Sequence, residues 1–192
     1  MNRVARLSRS LMLLLLALAG TTPVRAQTAS GTKPANLDEK LALSHEIHHQ
    51  LQVLPFCSVF DHIAFAINGT MVTLTGQVLR PTLKSNAEAA VKSLEGVTVV
   101  VNHIEVLPAS PGDDELRRMI YRAVYENSNL AHYAVQTVPS IHIIVKNGHV
   151  ALEGTVESEG DRTLAGARAS SAASLQGFKN NLVVLPRATA RQ

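Results

Sequence analysis

Residues 68–76 read "NGTMVTLTG" and residues 147–154 read "NGHVALEG". Each joins an Asn-Gly turn to alternating apolar and polar residues and a closing glycine, the pattern of a hairpin entering a strand with one buried face. Sliding the chain along itself by 78 residues superposes Ile63 on Ile141, Phe65 on Ile143, Val72 on Val150, Leu74 on Leu152 and Gly76 on Gly154. The same offset carries Asn102 onto Asn180, Ile104 onto Leu182 and Leu107-Pro108 onto Leu185-Pro186. A self-match over this much sequence means one module written twice.

Working outward, "DEKLALSHEIHHQLQVL" sets Leu43, Ile47, Leu51 and Leu54 at helical spacing, with Asp38 and Glu39 in the first turn, and the helix is expected to end before Pro55. "IAFAI" and "VTLTGQV" flank the first turn as a hairpin. Pro81 opens a second helix with Leu83, Ala87, Ala90 and Leu94 on one face, Ser85 and Glu88 as a capping box, and Gly96 closing it in the left-handed region. The β-branched run "VTVVVNHIEVL" is a strand. The second half repeats this with a helical stripe of Leu116, Ile120 and Val124, a hairpin about Asn147-Gly148 and a weaker helix, "DRTLAGARASSAASLQG", diluted by Gly166 and Ser171. The fold class expected is α+β, two tandem αββαβ modules, each a three-stranded mixed sheet packed by two helices. Gly76 and Gly154 are expected where a strand leaves the sheet toward the second helix, a place where a side chain would crowd that helix.

The start of the chain reads differently. Arg3, Arg6 and Arg9 precede an apolar run from Leu11 to Ala19, and "VRA" ends at Ala26, so residues 1–26 have the organisation of a cleavable secretory signal peptide. No cysteine follows the apolar run, so no lipoprotein anchor is expected, and no transmembrane segment remains after cleavage. The expected order is then a flexible leader at 27–37, module 1 at 38–108, a semi-rigid proline-containing linker at 109–112, module 2 at 113–186 and a tail at 187–192. Cleavage removes four of the 18 basic residues and none of the 15 acids, turning a formal charge of +3 into −1. That balance lacks the electrostatic footprint of a nucleic-acid binder.

The repeated strand, Asn-Gly turn and "V-x-L-x-G-x-V" motif, with Gly96-Val97 and Asn102-x-Ile104 answered by Gly177-Phe178 and Asn180-x-Leu182, resembles the BON domain. The resemblance covers about residues 38–186. It implies an αββαβ sandwich per module, no catalytic activity and no cofactor. It also implies a periplasmic place at the cell envelope with phospholipid or an envelope protein as partner, as in osmotic stress protection. Two departures from the family pattern are the missing lipoprotein cysteine and a longer first hairpin turn.

Candidate site residues come from three places. Arg117, Arg118 and Arg122 interleave with Met119, Tyr121 and Tyr125 on one helix, a composition suited to anionic headgroups, with rings at the headgroup boundary and guanidinium groups on phosphate. The competing reading has Met119 and Tyr121 edging the core while the arginines pair with Asp114, Glu115 and Glu126. "HEIHH", residues 45–49, matches His-Glu-x-x-His, which would make His45 and His49 zinc ligands and Glu46 a general base. No third ligand is evident, and a solvated helix face is the reading preferred. Cys57 is the single cysteine, so no internal disulfide can form and no activating base is apparent. Three functions follow: an envelope module contacting anionic lipid, a protein-interaction module using open sheet edges, and metal binding through His45 and His49.

Overall fold

A computed structural model describes residues 35–135, 139–172 and 174–185, with the side chains of residues 35 and 36 left aside. The signal-peptide expectation at 1–26, most of the leader and the tail at 187–192 lie outside the described residues. Helix α1 runs Ala35–Gln52, opening three residues inside the expected leader. Strands β1 (His62–Asn68) and β2 (Met71–Val78), helix α2 (Pro81–Lys92), and strands β3 (Val99–Asn102) and β4 (Glu105–Val106) complete the first half. The second half repeats the order with α3 (Pro111–Tyr125), β5 (Ile141–Lys146), β6 (His149–Val156), α4 (Glu159–Ser171), β7 (Gly177–Asn180) and β8 (Val183–Val184).

Each sheet is mixed, as the fold class requires. β1 pairs antiparallel with β2, and β2 pairs parallel with β3 and then β4, while β5 to β8 repeat the arrangement. The third strand is interrupted for a reason written in the repeat. Asn102 accepts the Ile104 N–H at 3.1 Å through its Oδ1 and donates through Nδ2 to the Lys84 carbonyl and the Glu88 carboxylate, both at 3.0 Å. Asn180 does the same with Leu182 and the Arg162 carbonyl. The side chain stands in for a ladder bond, folds the strand inward and buries Ile104 and Leu182. Asn102→Ala is expected to lower stability by about 2 kcal/mol, from lost bonds to half-buried groups, measured as a shift in the urea midpoint.

The two cores follow the expected stripes. Ile47, Leu51 and Leu54 of the first helical segment pack with Val72, Leu74, Leu83, Ala87 and Ile104, and Leu116, Ile120 and Val124 pack with Ile141, Ile143, Leu152 and Leu182. Gly166, which weakens α4 by propensity, has a packing cause: a Cβ there would meet the Asn180 side-chain nitrogen at 2.5 Å. Glu88 occupies the matching position in α2 and instead bonds its asparagine.

Several expectations are corrected. Both hairpin loops hold two residues, since Asn68 pairs with Met71 and Lys146 with His149, so the first is no longer than the second. The Asn-Gly dipeptide is displaced by one position: Asn147 and Gly148 form the second loop, Gly69 and Thr70 the first. Ser85 and Glu88 make no capping box, because α2 starts at Pro81 with Arg80 as an uncapped N-terminus; Ser85 bonds the Pro81 carbonyl and Glu88 bonds Asn102. Gly96 has the left-handed φ expected of it, +85, but α2 ends at Lys92 with Ser93 as its C-cap, so Gly96 shapes the turn that follows rather than closing the helix. Gly177 does not share that role: it opens β7 opposite His149, whose ring leaves 2.8 Å for a Cβ. Gly76 and Gly154 lie within β2 and β6 at φ +118 and +106, and a side chain would collide with the carbonyls of His62 and Ser140 rather than with a helix.

Candidate functional site

The arginine and tyrosine helix is the first place to build from. Ser110 caps α3 by accepting the Asp113 N–H at 3.3 Å, Pro111 fills the first turn, and Leu116, Ile120 and Val124 fix which face turns inward. That register decides the five expected contact residues individually. Arg117 is 2% exposed; its guanidinium donates to the Val145 carbonyl at 2.7 Å and to Asp114 at 2.5 Å, which ties α3 to β5. Tyr125 is 5% exposed, its hydroxyl donates to the Ile141 carbonyl, and burial pushes its ionisation above the ordinary tyrosine range. Both residues therefore serve the core of module 2 and leave the expected lipid-contact set.

Arg118, Tyr121 and Arg122 remain on the outside. Arg118 pairs with Glu115 at 2.5 Å, and that guanidinium holds the Glu115 carboxyl below its usual range. Arg122 makes no ion pair among the described residues. Tyr121 is 38% exposed, with its ring 5.0 Å from Tyr125 and 6.2 Å from Phe60 of module 1. Asp113, next to the cap, is buried and accepts the Asn147 and Gly148 N–H groups at 2.8 Å each, so the start of α3 also holds the second hairpin turn.

His45 and His49 are exposed on α1, away from its buried stripe. Among the described residues, no group of three or more His, Cys, Asp or Glu side chains is placed to hold a metal ion. His48 hydrogen-bonds Gln52 at 3.4 Å and faces a different region.

That region, which sequence reasoning missed, is a cleft of about 590 Å³ between the modules, lined by His48, Cys57, Asp61, His62, Ser140 and His142 among others. The turn before β1 builds it. Asp61 accepts the Ser58 N–H at 2.9 Å, the Ser58 hydroxyl at 2.6 Å and the Leu79 N–H at 2.7 Å, which holds Val59 and Phe60 outward against the core of module 2. The Val59 carbonyl accepts the Ile143 N–H at 2.8 Å, so the turn lies along the open edge of β5. Lys146 pairs with Glu105 at 2.5 Å beside it. The His62 and His142 rings face each other with centroids 5.3 Å apart.

Burial sets the chemistry of this cleft. It lowers the ionisation of His142 to about 4, with His62 adding to the effect, and lowers that of His62 despite nearby Glu153. Burial, with Asp61 alongside, also raises the Cys57 thiol to about 11, so the sulfur is protonated at neutral pH, the reverse of an activated nucleophile. The signal for this cleft was two unmatched histidines, since the 78-residue offset puts His62 on Ser140 and His142 on Ala64. Without the packing of the modules they read as scattered.

No curated protein matches the chain. Among solved structures it is similar to CdsD, a structural protein of the type III secretion system of Chlamydia trachomatis, at 17% identity and a TM-score of 0.29, covering 77% of this chain and 94% of that one. A structure of the C-terminal domain of CdsD matches at 17% identity and a TM-score of 0.27, covering 75% of this chain and 98% of that one. BON domains are generally non-catalytic binding domains for phospholipid or envelope components, in proteins that are typically periplasmic. No helix among the described residues is long and apolar enough to cross a membrane. With the family model matching residues 65–108 and 112–186, one copy on each αββαβ half, this chain belongs to the BON domain family.

Proposed function

We propose that this is a non-enzymatic, exported periplasmic protein that contacts anionic phospholipid at the envelope through Arg118, Tyr121 and Arg122 of α3, in a protective role under envelope stress. The observation that carries the reading is their spacing and exposure: three residues within two turns, two of them cationic, one an aromatic with a polar tip. Arg122 makes no ion pair among the described residues, its charge being felt only at a distance by the Glu115 carboxylate. Tyr121 is braced from behind by Tyr125 and Phe60, which limits the side-chain entropy lost on contact.

The test is co-sedimentation with vesicles of phosphatidylglycerol and phosphatidylcholine, and with phosphatidylcholine alone, at low and physiological salt. Binding is expected only with the anionic lipid and is expected to weaken with salt. At about 1 kcal/mol per basic residue near such a surface, Arg118→Glu with Arg122→Glu should reduce affinity by about 30-fold or more. Equal binding by the double variant, or none by the native chain, sinks the reading. In the second case the outer edge of β3, where Val99 is half exposed, supports a protein-partner reading based on strand addition.

A further inference from the structure

Module 1 is seated on module 2 by the packing of Val59 and Phe60 into the second core, with Phe60 beside Tyr121, and by the Val59 to Ile143 backbone bond, the Glu105 to Lys146 pair and the His62 to His142 ring contact. The ion pair is solvent-exposed on both sides and contributes little. The ring contact differs in kind, because both imidazoles are partly buried. The Nδ1 atom of His142 is buried and has no hydrogen-bond partner. Asp61 borders the pair from the turn before β1; its oxygens are hydrogen-bonded to Ser58 and Leu79, and its charge, with the Asp61 and Ser58 backbone, favours protonated His142 but is outweighed by burial and His62. Glu153 of β6 acts on His62 from across the sheet. His48 of α1 and the protonated Cys57 thiol complete the ionisable lining.

We propose that the seating of module 1 on module 2 is a proton-sensitive joint, closed while His62 and His142 are both neutral and released when they take up protons. A cationic ring in the closed cleft would face a second ring and a low-dielectric wall. Once the modules part, each ring is hydrated and protonates near its ordinary value of about 6.5. The open form therefore holds more protons in the interval between the two values. Closure is unaffected above about pH 6.5 and loses ground as pH falls below it, until the closed form also protonates, which for His142 is at about 4. Each histidine shifts the open-to-closed ratio by up to about tenfold per pH unit, so His142 alone gives about 300-fold across its interval. Release uncovers Leu107 and Ile144, which are buried together at a second cleft between the modules, and so converts acid into newly exposed apolar surface.

The chain has no tryptophan, so Phe60→Trp places a single, selectively excited tryptophan at the joint, beside Tyr121. Its emission and the far-UV circular dichroism would be followed from about pH 8 to about pH 4, with and without His62→Gln and His142→Gln together. Proton NMR titration of the imidazoles in the native chain needs no substitution. The expected result is a red shift between about pH 6.5 and 4 with circular dichroism retained, loss of that shift in the double variant, and titration of the His62 and His142 imidazoles below the ordinary value, His142 at about 4. Flat emission, an identical transition without the two histidines, loss of circular dichroism in step with emission, or ordinary imidazole titration would each overturn the proposal.

Discussion

Gly154→Ala should destabilise this protein by about 3–4 kcal/mol, at the upper end of what single substitutions do. Two causes add. At φ +106 the backbone is where L side chains are rarely found, a strain of about 1–3 kcal/mol. The new methyl also points into the Ser140 carbonyl, which cannot retreat without loosening its 2.8 Å bond from the Thr155 N–H. Gly76→Ala meets the same obstacle at the His62 carbonyl. Gly112→Ala is the control, because that glycine lies in the first turn of α3 with ordinary φ and nothing nearer a Cβ than the Ser110 oxygen at 4.0 Å. It should be neutral, or stabilising by about 0.5 kcal/mol through the unfolded chain. Urea denaturation of the three variants decides the matter. A cost below about 1 kcal/mol at Gly154 would mean that the strand can shift to admit a methyl.

Asp61→Ala should have the second largest effect, about 3 kcal/mol, since it strands the Ser58 and Leu79 N–H groups at a site that is 2% exposed. Its consequence reaches further than its own module. The turn it braces carries Val59 and Phe60 into the other core, so the loss is expected to weaken coupling between the halves as well as stability. Asp61→Asn keeps one carbonyl oxygen and should cost about half as much. Denaturation followed by circular dichroism should show a lower midpoint and a broader transition for Asp61→Ala. A midpoint within about 0.5 kcal/mol of the native chain would show that water replaces the carboxylate without penalty.

The fate of α3 shows where sequence reasoning stops. The stripe of Leu116, Ile120 and Val124 was legible, because apolar residues four apart can be buried only on one helical face. Arg117 and Tyr125 were read as surface residues on composition, yet both are buried. Arg117 reaches a carbonyl of β5 and Tyr125 reaches one at the start of the same strand, partners 28 and 16 residues away. A burial that depends on a distant carbonyl leaves no periodic trace. Tyr121, by contrast, keeps the exposure expected of a ring on the outer face.

The repeat itself determined the most. From the 78-residue offset alone come two αββαβ halves and the asparagines and glycines at matching positions, since each of these depends on residues inside one module; that the asparagines interrupt the third strands is visible only in the structure. Only the tertiary structure decided how the halves differ. The N–H that follows the second strand is capped in both, by Asp61 on Leu79 in module 1 and by the Tyr133 hydroxyl on Glu157 in module 2. Those two caps come from unlike connections and fall at unmatched positions in the offset. The same holds for His62 and His142, which meet because one module's turn lies along the other's sheet edge. Contacts within a repeat are encoded locally and twice; contacts between repeats are encoded once, by side chains that become neighbours only after both halves have folded.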